Sequence, residues 1–452
     1  MSLSLASAGA FAADWQPLFN GKDLTGWQQL NGSAPFSVVD GAIVGTAVAN
    51  SPNSFLATER DYGDFIFEAE IKTSPGLNSG IQFRSKSEPG LQDGRVTGYQ
   101  MEVDPSERQW SGGVYEEAGR GWLYNLTRNS NCQAAFKLDG WNQYRIEAVG
   151  QRIRTWVNKV PCVDLLDNGN QNGFIALQVH SINDAQLAGS TVSMKNPRIM
   201  TGDIADNQWE MPETVLEINY LPNELSERQK KDGWQLLWDG RTTQGWRGAR
   251  LEGFPTKGWG IENGELIVYS SGGGEARNGG DIVTTNDYSE FEVELDFMIT
   301  EGANSGIKYF VDPDLLKGEG SAIGLEFQIL DDVRHPDAKM GVGGNRTVGS
   351  LYDLIPAENL SEAGQKAKRF NEPGQWNRAR VVVRGNQVEH WLNNIKVVEF
   401  ERGSQIFRAL VQKSKYAEWP NFGEWESGPI LLQDHGDRVH FRSIKIRELN
   451  GD

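Results

Sequence analysis

Sulfur and imidazole are scarce in this chain: its 452 residues hold two cysteines and five histidines. Two cysteines without clustered histidines cannot build a thiolate zinc site. Cys132 and Cys162 both fall in the first half, where an oxidising compartment would let them pair and where two buried thiols would serve as well. Positive charge is also short. The formal net charge is −17, so a phosphate backbone would be repelled and a nucleic-acid partner is excluded. No apolar run approaches the ~20 residues of a membrane span. Helical periodicity is rare, with 360–369 the best candidate inside either half.

Glycine and tryptophan are plentiful, at 52 and 15 residues. Many glycines imply many turns and short strands, and indole rings suit stacking on sugars or bases. The length calls for two or three domains. At the start, residues 1–13 carry Ala10-Phe11-Ala12 just before Asp14-Trp15. That A-x-A pattern reads as the remnant of a signal peptide or of a tag, and it leads us to expect a periplasmic or secreted protein.

The strongest signal is internal repetition. Trp15-Gln16-Pro17-Leu18-Phe19-Asn20-Gly21 returns as Trp234-Gln235-Leu236-Leu237-Trp238-Asp239-Gly240. Asn78-Ser79-Gly80-Ile81 returns as Asn304-Ser305-Gly306-Ile307, Trp156-Val157-Asn158 as Trp391-Leu392-Asn393, and Gln178-Val179-His180 as Gln433-Asp434-His435. The order never changes, which only duplication explains. One repeat covers 14–200 and the other 233–449. The segment 201–232 reads as a linker ending in a short capped helix before Gly233. Within each repeat the apolar period is two: Phe65, Phe67, Ala69 and Ile71 in the first, Phe291, Val293, Leu295 and Phe297 in the second. Strands with one buried face follow, and the fold class is all-β, two tandem sandwiches or jelly rolls.

The polar faces of those strands carry unusual chemistry. Gln100, Glu102 and Asp104 share one face, as do Gln82 and Arg84, Arg154 and Trp156, and Gln178 and His180. The second repeat offers Glu326 and Gln328, Trp391, and Gln433 with His435. Planar hydrogen-bonding groups, a ring and titratable groups are what a sugar site requires. Glu102, Asp104, His180, Glu326 and His435 are the candidate catalytic groups. The others are candidate substrate contacts, joined by Tyr115, Arg120 and Trp122 from a glycine-rich loop between Trp110 and Trp122 that would wall a substrate. Asp331, Asp332 and His335 read as a possible hard-cation group or as a polar turn before Pro336. His390, between Glu389 and Trp391, reads as a core histidine.

Taken together, these segments resemble the bacterial 3-keto-disaccharide hydrolase family. The motifs are Trp15 to Trp27, Asp40-Gly41-Ala42-Ile43-Val44-Gly45, Tyr62-Gly63-Asp64-Phe65, Trp141-Asn142-Gln143-Tyr144-Arg145-Ile146, and Gly428-Pro429-Ile430-Leu431-Leu432-Gln433-Asp434-His435-Gly436. The resemblance covers both repeats and implies concanavalin A-like sandwiches. It implies cleavage of an oligosaccharide or keto-sugar glycoside, in which a base removes the proton next to the ketone and the aglycone leaves. No cofactor is fixed, although a divalent metal would suit the enolate. Two other readings stay open: a glycan-binding protein with two lectin-like modules, and an ordinary glycoside hydrolase with two carboxylates flanking the bond.

Overall fold

The computed structural model describes residues 15–272, 274–312, 314–315 and 320–449. The A-x-A segment lies outside them. Contacts gather the chain into two compact units that divide between Ile218 and Asn219. Among the described residues no helix is long and apolar enough to cross a membrane.

The first unit is a two-sheet sandwich. Phe65–Thr73 runs through the middle of the larger sheet, with Asn142–Val149 antiparallel on one side and Thr191–Met200 on the other. Its Phe65, Phe67, Ala69 and Ile71 turn inward and are buried. The smaller sheet has seven strands. Their order is Gly121–Tyr124, Val114–Glu117, Thr97–Val103, Ser79–Lys86, Phe174–Val179, Ser54–Thr58 and Trp27–Leu30. Between the sheets Phe83 meets Phe65 edge-on at 6.4 Å and stacks on Tyr99 at 5.5 Å, the geometries aromatic rings prefer. Successive hairpins are joined by crossovers between sequence-distant strands, such as Phe65–Thr73 with Thr191–Met200, which gives the concanavalin A-like jelly roll.

The second unit repeats this plan. Phe291–Ile299 lies between Asn377–Arg384 and Val439–Glu448. The facing sheet has five strands, ordered Trp246–Gly248, Ile282–Thr284, Leu431–Leu432, Asn304–Asp312 and Ile323–Leu330. His390 is wholly buried in this core, bonded to the Tyr309 hydroxyl at 2.7 Å and the Gly349 carbonyl at 3.0 Å. Burial pushes its imidazole down to about 4, so it stays neutral at pH 7.

Two local expectations need revision, and the short capped helix of the interval 201–232 is present. Residues 360–369 form turns, not a helix. Asn359 accepts from the N–H groups of Ser361 and Glu362 and donates to the Glu362 carboxylate, so side-chain bonds hold the chain in turns. The helix of the second unit is Gln405–Gln412, capped by Ser404 and burying Phe407 and Val411. The glycine-rich loop is a hairpin: Val114–Glu117 and Gly121–Tyr124 pair at the edge of the smaller sheet. The interval 201–232 contains the strand Glu217–Asn219 and the helix Glu227–Lys231, which a Ser226–Gln229 capping box starts.

Cys132 and Cys162 are joined in a disulfide that spans 30 residues of sequence. Gly112, in the left-handed region at φ 99°, runs against it: a Cβ there would lie 2.8 Å from Cys162 Sγ. Closing a loop of that length restrains the unfolded chain by about 3–4 kcal/mol. Cys132→Ser should therefore lower the melting temperature of the first unit by roughly 10 °C and leave the second unit's transition unchanged. Differential scanning calorimetry of the full chain, with and without reductant, reads both.

Candidate functional site

In each unit the smaller sheet turns one face to the core and the other away from it. Antiparallel partners point to the same side, so the outward face divides into rows. In the second unit Val283, Leu431, Lys308 and Glu326 form one row across four strands. The neighbouring row runs Asp281, Gln433, Gly306 and Gln328, with the Gln433 N–H bonded to the Gly306 carbonyl. Gly306 is empty by necessity. A Cβ there would meet Glu326 Oε1 at 2.2 Å, because the Glu326 side chain folds across the glycine.

Lys308 is the unusual group. It is buried, with Nζ donating to the Ala322 carbonyl at 3.2 Å and facing Asp281 Oδ2 at 3.5 Å. Burial alone would depress the ammonium, but Asp281, Glu326 and Glu275 outweigh it and raise it. Asp281 is fully enclosed, and burial pushes its carboxyl up to about 7 against the pull of Lys308 and two backbone N–H groups. Glu326 stands opposite this ammonium on the neighbouring strand and favours its charge.

Around this pair opens a small polar cleft. Glu275, Asn304, Gln328, Gln433 and His435 line it on one side, Tyr352, Lys415 and Tyr416 on the other. The Tyr352 hydroxyl donates to Asp337 at 2.7 Å, and the Lys415 ammonium lies 4.0 Å from the Tyr352 ring centre. Burial holds His435 below the usual imidazole range, against Glu275 and Asp437. Among the described residues, His335, His435 and Asp437 are a group whose ligand atoms lie within 4.8 Å of one another. His335 also starts the turn Pro336–Lys339, its Nδ1 accepting from the Asp337 N–H at 3.2 Å.

The structure thus brings Glu326, His435, Gln328 and Gln433 into one cleft. Of the expected cation group only His335 comes near it, its ring centre 6.1 Å from that of His435. Asp331 accepts from the N–H groups of Gly302, Val333 and Arg334, and is held below the usual carboxylate range. Asp332 is bonded to the Val348 N–H and paired with Lys368. Asp437, two residues past His435, replaces them. The sequence reading also passed over Lys308, Asp281, Glu275, Tyr352, Lys415 and Tyr416. Lys308 had a visible signal, since it follows Asn304-Ser305-Gly306-Ile307 where Gln82 follows Asn78-Ser79-Gly80-Ile81.

The same rows differ in the first unit. Ala57, Ala176, Gln82, Gln100 and Tyr115 form one, and Phe55, Gln178, Gly80 and Glu102 the other. Gln82 and Gln100 thus stand where Lys308 and Glu326 do, joined by an amide–amide bond of 2.7 Å. The carboxylate has moved one pleat along, to Glu102. Burial raises it, and it accepts from Asn78 at 2.8 Å, Gln100 at 2.9 Å and Arg108 at 3.1 Å. Arg108 also grips Asp104 at 2.8 Å and lies over the rings of Trp110 and Trp122. Glu102 and Asp104 therefore share one internal cation and do not flank a substrate bond. His180 is bonded to the Ser181 carbonyl. Tyr115 packs edge-on against Trp122, and Arg120 is occupied by Glu116 and Asp167. Arg84 is a structural group, wholly buried and bonded to Asp64 and to the carbonyls of Gly63 and Gly150.

Arg154, Trp156 and Trp391 belong elsewhere. Their strands lie in the larger sheets, and they point from the outer faces of those sheets. Arg154 pairs with Asp164 at 3.2 Å, Trp156 packs edge-on against Trp209, and Trp391 donates to Glu389 at 2.8 Å. A sandwich has two outward polar faces, and period-two alternation does not say which sheet owns a strand.

Comparison with known proteins finds one domain type in both halves of the chain. The model of the 3-keto-alpha-glucoside-1,2-lyase-like domain matches residues 14–200 and again 233–447. A 3-keto-disaccharide hydrolase of Bacteroides thetaiotaomicron is 37% identical over 239 residues, which cover 48% of this chain and 79% of that protein. A crystal structure of a candidate glycosyl hydrolase from Parabacteroides distasonis is 29% identical and covers 51% of this chain and all of its own, with a TM-score of 0.43. A carbohydrate-binding module of Bacillus subtilis, 18% identical, covers 39% of this chain and 96% of its own, with a TM-score of 0.27.

The buried pair gives a test of this site by itself. Lys308→Gln strands Asp281 and should cost the second unit about 3 kcal/mol, the usual loss when one partner of a buried ion pair is removed. Adding Asp281→Asn should recover most of that loss. A double-mutant cycle by thermal denaturation checks it, and additive losses would show that the two side chains are not coupled.

Proposed function

Because the chain belongs to the 3-keto-alpha-glucoside-1,2-lyase-like family, with the domain present twice, we propose that its second unit cleaves 3-keto-disaccharides and related 3-keto-glycosides by elimination and hydration. The observation that carries this reading is Glu326, a carboxylate opposite the buried Lys308 ammonium in a polar cleft that also contains His435.

In a 3-keto sugar the ketone acidifies the C2–H, and the C1–O bond is β to that ketone. Glu326 takes the C2 proton, and the electron pair moves onto the C3 oxygen as an enolate. The pair then returns, the C1–O bond breaks, and the leaving oxygen collects a proton. Tyr352 and Lys415 are the hydroxyl and the ammonium on the wall that can supply it. Water adds across the resulting C1=C2 bond and gives the free 3-keto sugar. Lys308 faces Glu326 across the strand pair, and Asn304, Gln328 and Gln433 offer amides to sugar hydroxyls. His335, His435 and Asp437 offer two imidazoles and a carboxylate, a donor set that suits a borderline divalent ion. Such an ion, when bound, supplies Lewis-acid stabilisation to an oxygen gaining charge. We also place the protein in the periplasm or outside the cell, a location supported by the A-x-A pattern and the disulfide.

Purified full-length chain should convert a 3-keto-disaccharide to its monosaccharides. Glu326→Gln should lower kcat by about 10²–10⁴-fold, the span of a lost general base, while Glu102→Gln leaves it within about twofold of the parent. Chelation with EDTA should lower turnover, and added divalent ion should restore it. An unmodified chain that leaves the substrate intact, with and without divalent metal, would refute the reading.

A further inference from the structure

Two groups on the wall of the second unit's cleft carry a proton for the leaving oxygen, Tyr352 and Lys415, and their bonding separates them. A phenol has one O–H. That of Tyr352 is given to Asp337 Oδ2 at 2.7 Å, and Asp337 does not line the cleft. Burial, the bond to Asp337 and the charge of Glu326 push the Tyr352 hydroxyl well above the usual phenol range. Burial acts on Asp337 too, but Tyr352 and Arg346 outweigh it and hold the carboxyl below the usual carboxylate range. The Tyr352 proton therefore faces a standing carboxylate and not the sugar. The Lys415 ammonium carries three donors. It lies 4.0 Å from the Tyr352 ring centre and 5.2 Å from that of Tyr416, and Tyr416 is stacked on Phe422 at 3.9 Å. Two ring faces thus attract the ammonium to the wall and leave its N–H bonds directional.

A residue outside the cleft holds this wall together. Arg346 donates from Nε to Asp353 Oδ1 at 2.7 Å and from Nη1 to Asp337 Oδ1 at 2.8 Å. The other oxygen of each carboxylate faces the wall: Asp337 Oδ2 takes the Tyr352 hydroxyl, and Asp353 Oδ2 takes the Lys415 backbone N–H at 3.0 Å. One guanidinium therefore sets both the ring under the ammonium and the backbone that carries it.

We propose that Lys415 gives the leaving oxygen its proton and that Arg346 is the positioning residue that sets Lys415 for this step. The proposal rests on the reading of Glu326 as the base. As the C1–O bond breaks, its electron pair stays on the departing oxygen, and an N–H proton of Lys415 makes that oxygen a hydroxyl. The water that adds at C1 then gives a proton to the Lys415 amine, and Glu326 returns its own proton to C2. Both groups end as they began, and the sum is hydrolysis.

Two substrates test this on the full chain. The sugar leaving group of a 3-keto-disaccharide needs a proton, whereas the nitrophenolate of a nitrophenyl 3-keto-glucoside leaves without one. Lys415→Met should lower kcat for the disaccharide by about 10²-fold more than for the nitrophenyl substrate, the low end of what a general acid contributes. Turnover of the nitrophenyl substrate reports that the fold and the base are intact. Arg346→Gln should shift the ratio of the two rates the same way by about tenfold, in kcat more than in KM. Arg346→Lys keeps a cation between the two carboxylates and should recover part of that shift. Tyr352→Phe keeps the ring and should move the ratio by less than about threefold. Equal losses on both substrates in Lys415→Met, or a selective loss of the disaccharide in Tyr352→Phe, would overturn the proposal. Glu326→Gln should slow both substrates. A parent chain that cleaves neither would sink the enzymatic reading itself, and with it this assignment.

Discussion

A buried ammonium has no stable existence without carboxylates, and Lys308 organises the second unit's cleft for that reason. Its charge draws Asp281 and, across the strand pair, Glu326, and Glu326 in turn needs an empty position beside it, which Gly306 provides. The requirements run along two sheet rows and fix three side chains and a glycine. The walls of the cleft come from segments outside the sheet: Tyr352 from the chain after Ile323–Leu330, and Lys415 and Tyr416 from the turn after the helix Gln405–Gln412. The sheet therefore supplies charge, and the excursions supply enclosure.

The first unit shows what the same sheet becomes when the ammonium is absent. Without a positive charge at Gln82 there is nothing to hold a carboxylate at position 100, and an amide takes its place. The carboxylate one pleat along is served by Arg108 from the adjoining turn, over the rings of Trp110 and Trp122, which meet edge-on. The disulfide restrains this corner too, since Cys132 Sγ lies 3.5 Å from the Ser111 carbonyl.

Much of this was legible in the sequence, and the limits have physical causes. Duplication, strand alternation and the outward position of Glu326, Gln328, Gln433 and His435 follow from order and period, which are local properties. The sheet to which a strand belongs is not local, so Arg154, Trp156 and Trp391 were expected at the site although they lie on the larger sheets' outer faces. A turn cap and a ligand look alike in sequence, so Asp331 and Asp332 were grouped with His335 while Asp437 was passed over. Arg84 alternates like a surface residue, yet the positive φ of 45° at its position marks an irregularity where the strand register shifts. Lys308 shows in the repeat alignment, but a lysine after an apolar residue is ordinarily solvated, which masks its burial.

Between the two copies the pair Gln100 and Glu102 is the reverse of Glu326 and Gln328, on strands held in the same register against Gly80 and Gly306. Glutamate and glutamine are nearly the same size, so each exchange leaves the backbone undisturbed. A gene duplicate could pass from one arrangement to the other through folded intermediates, without an inviable step between them.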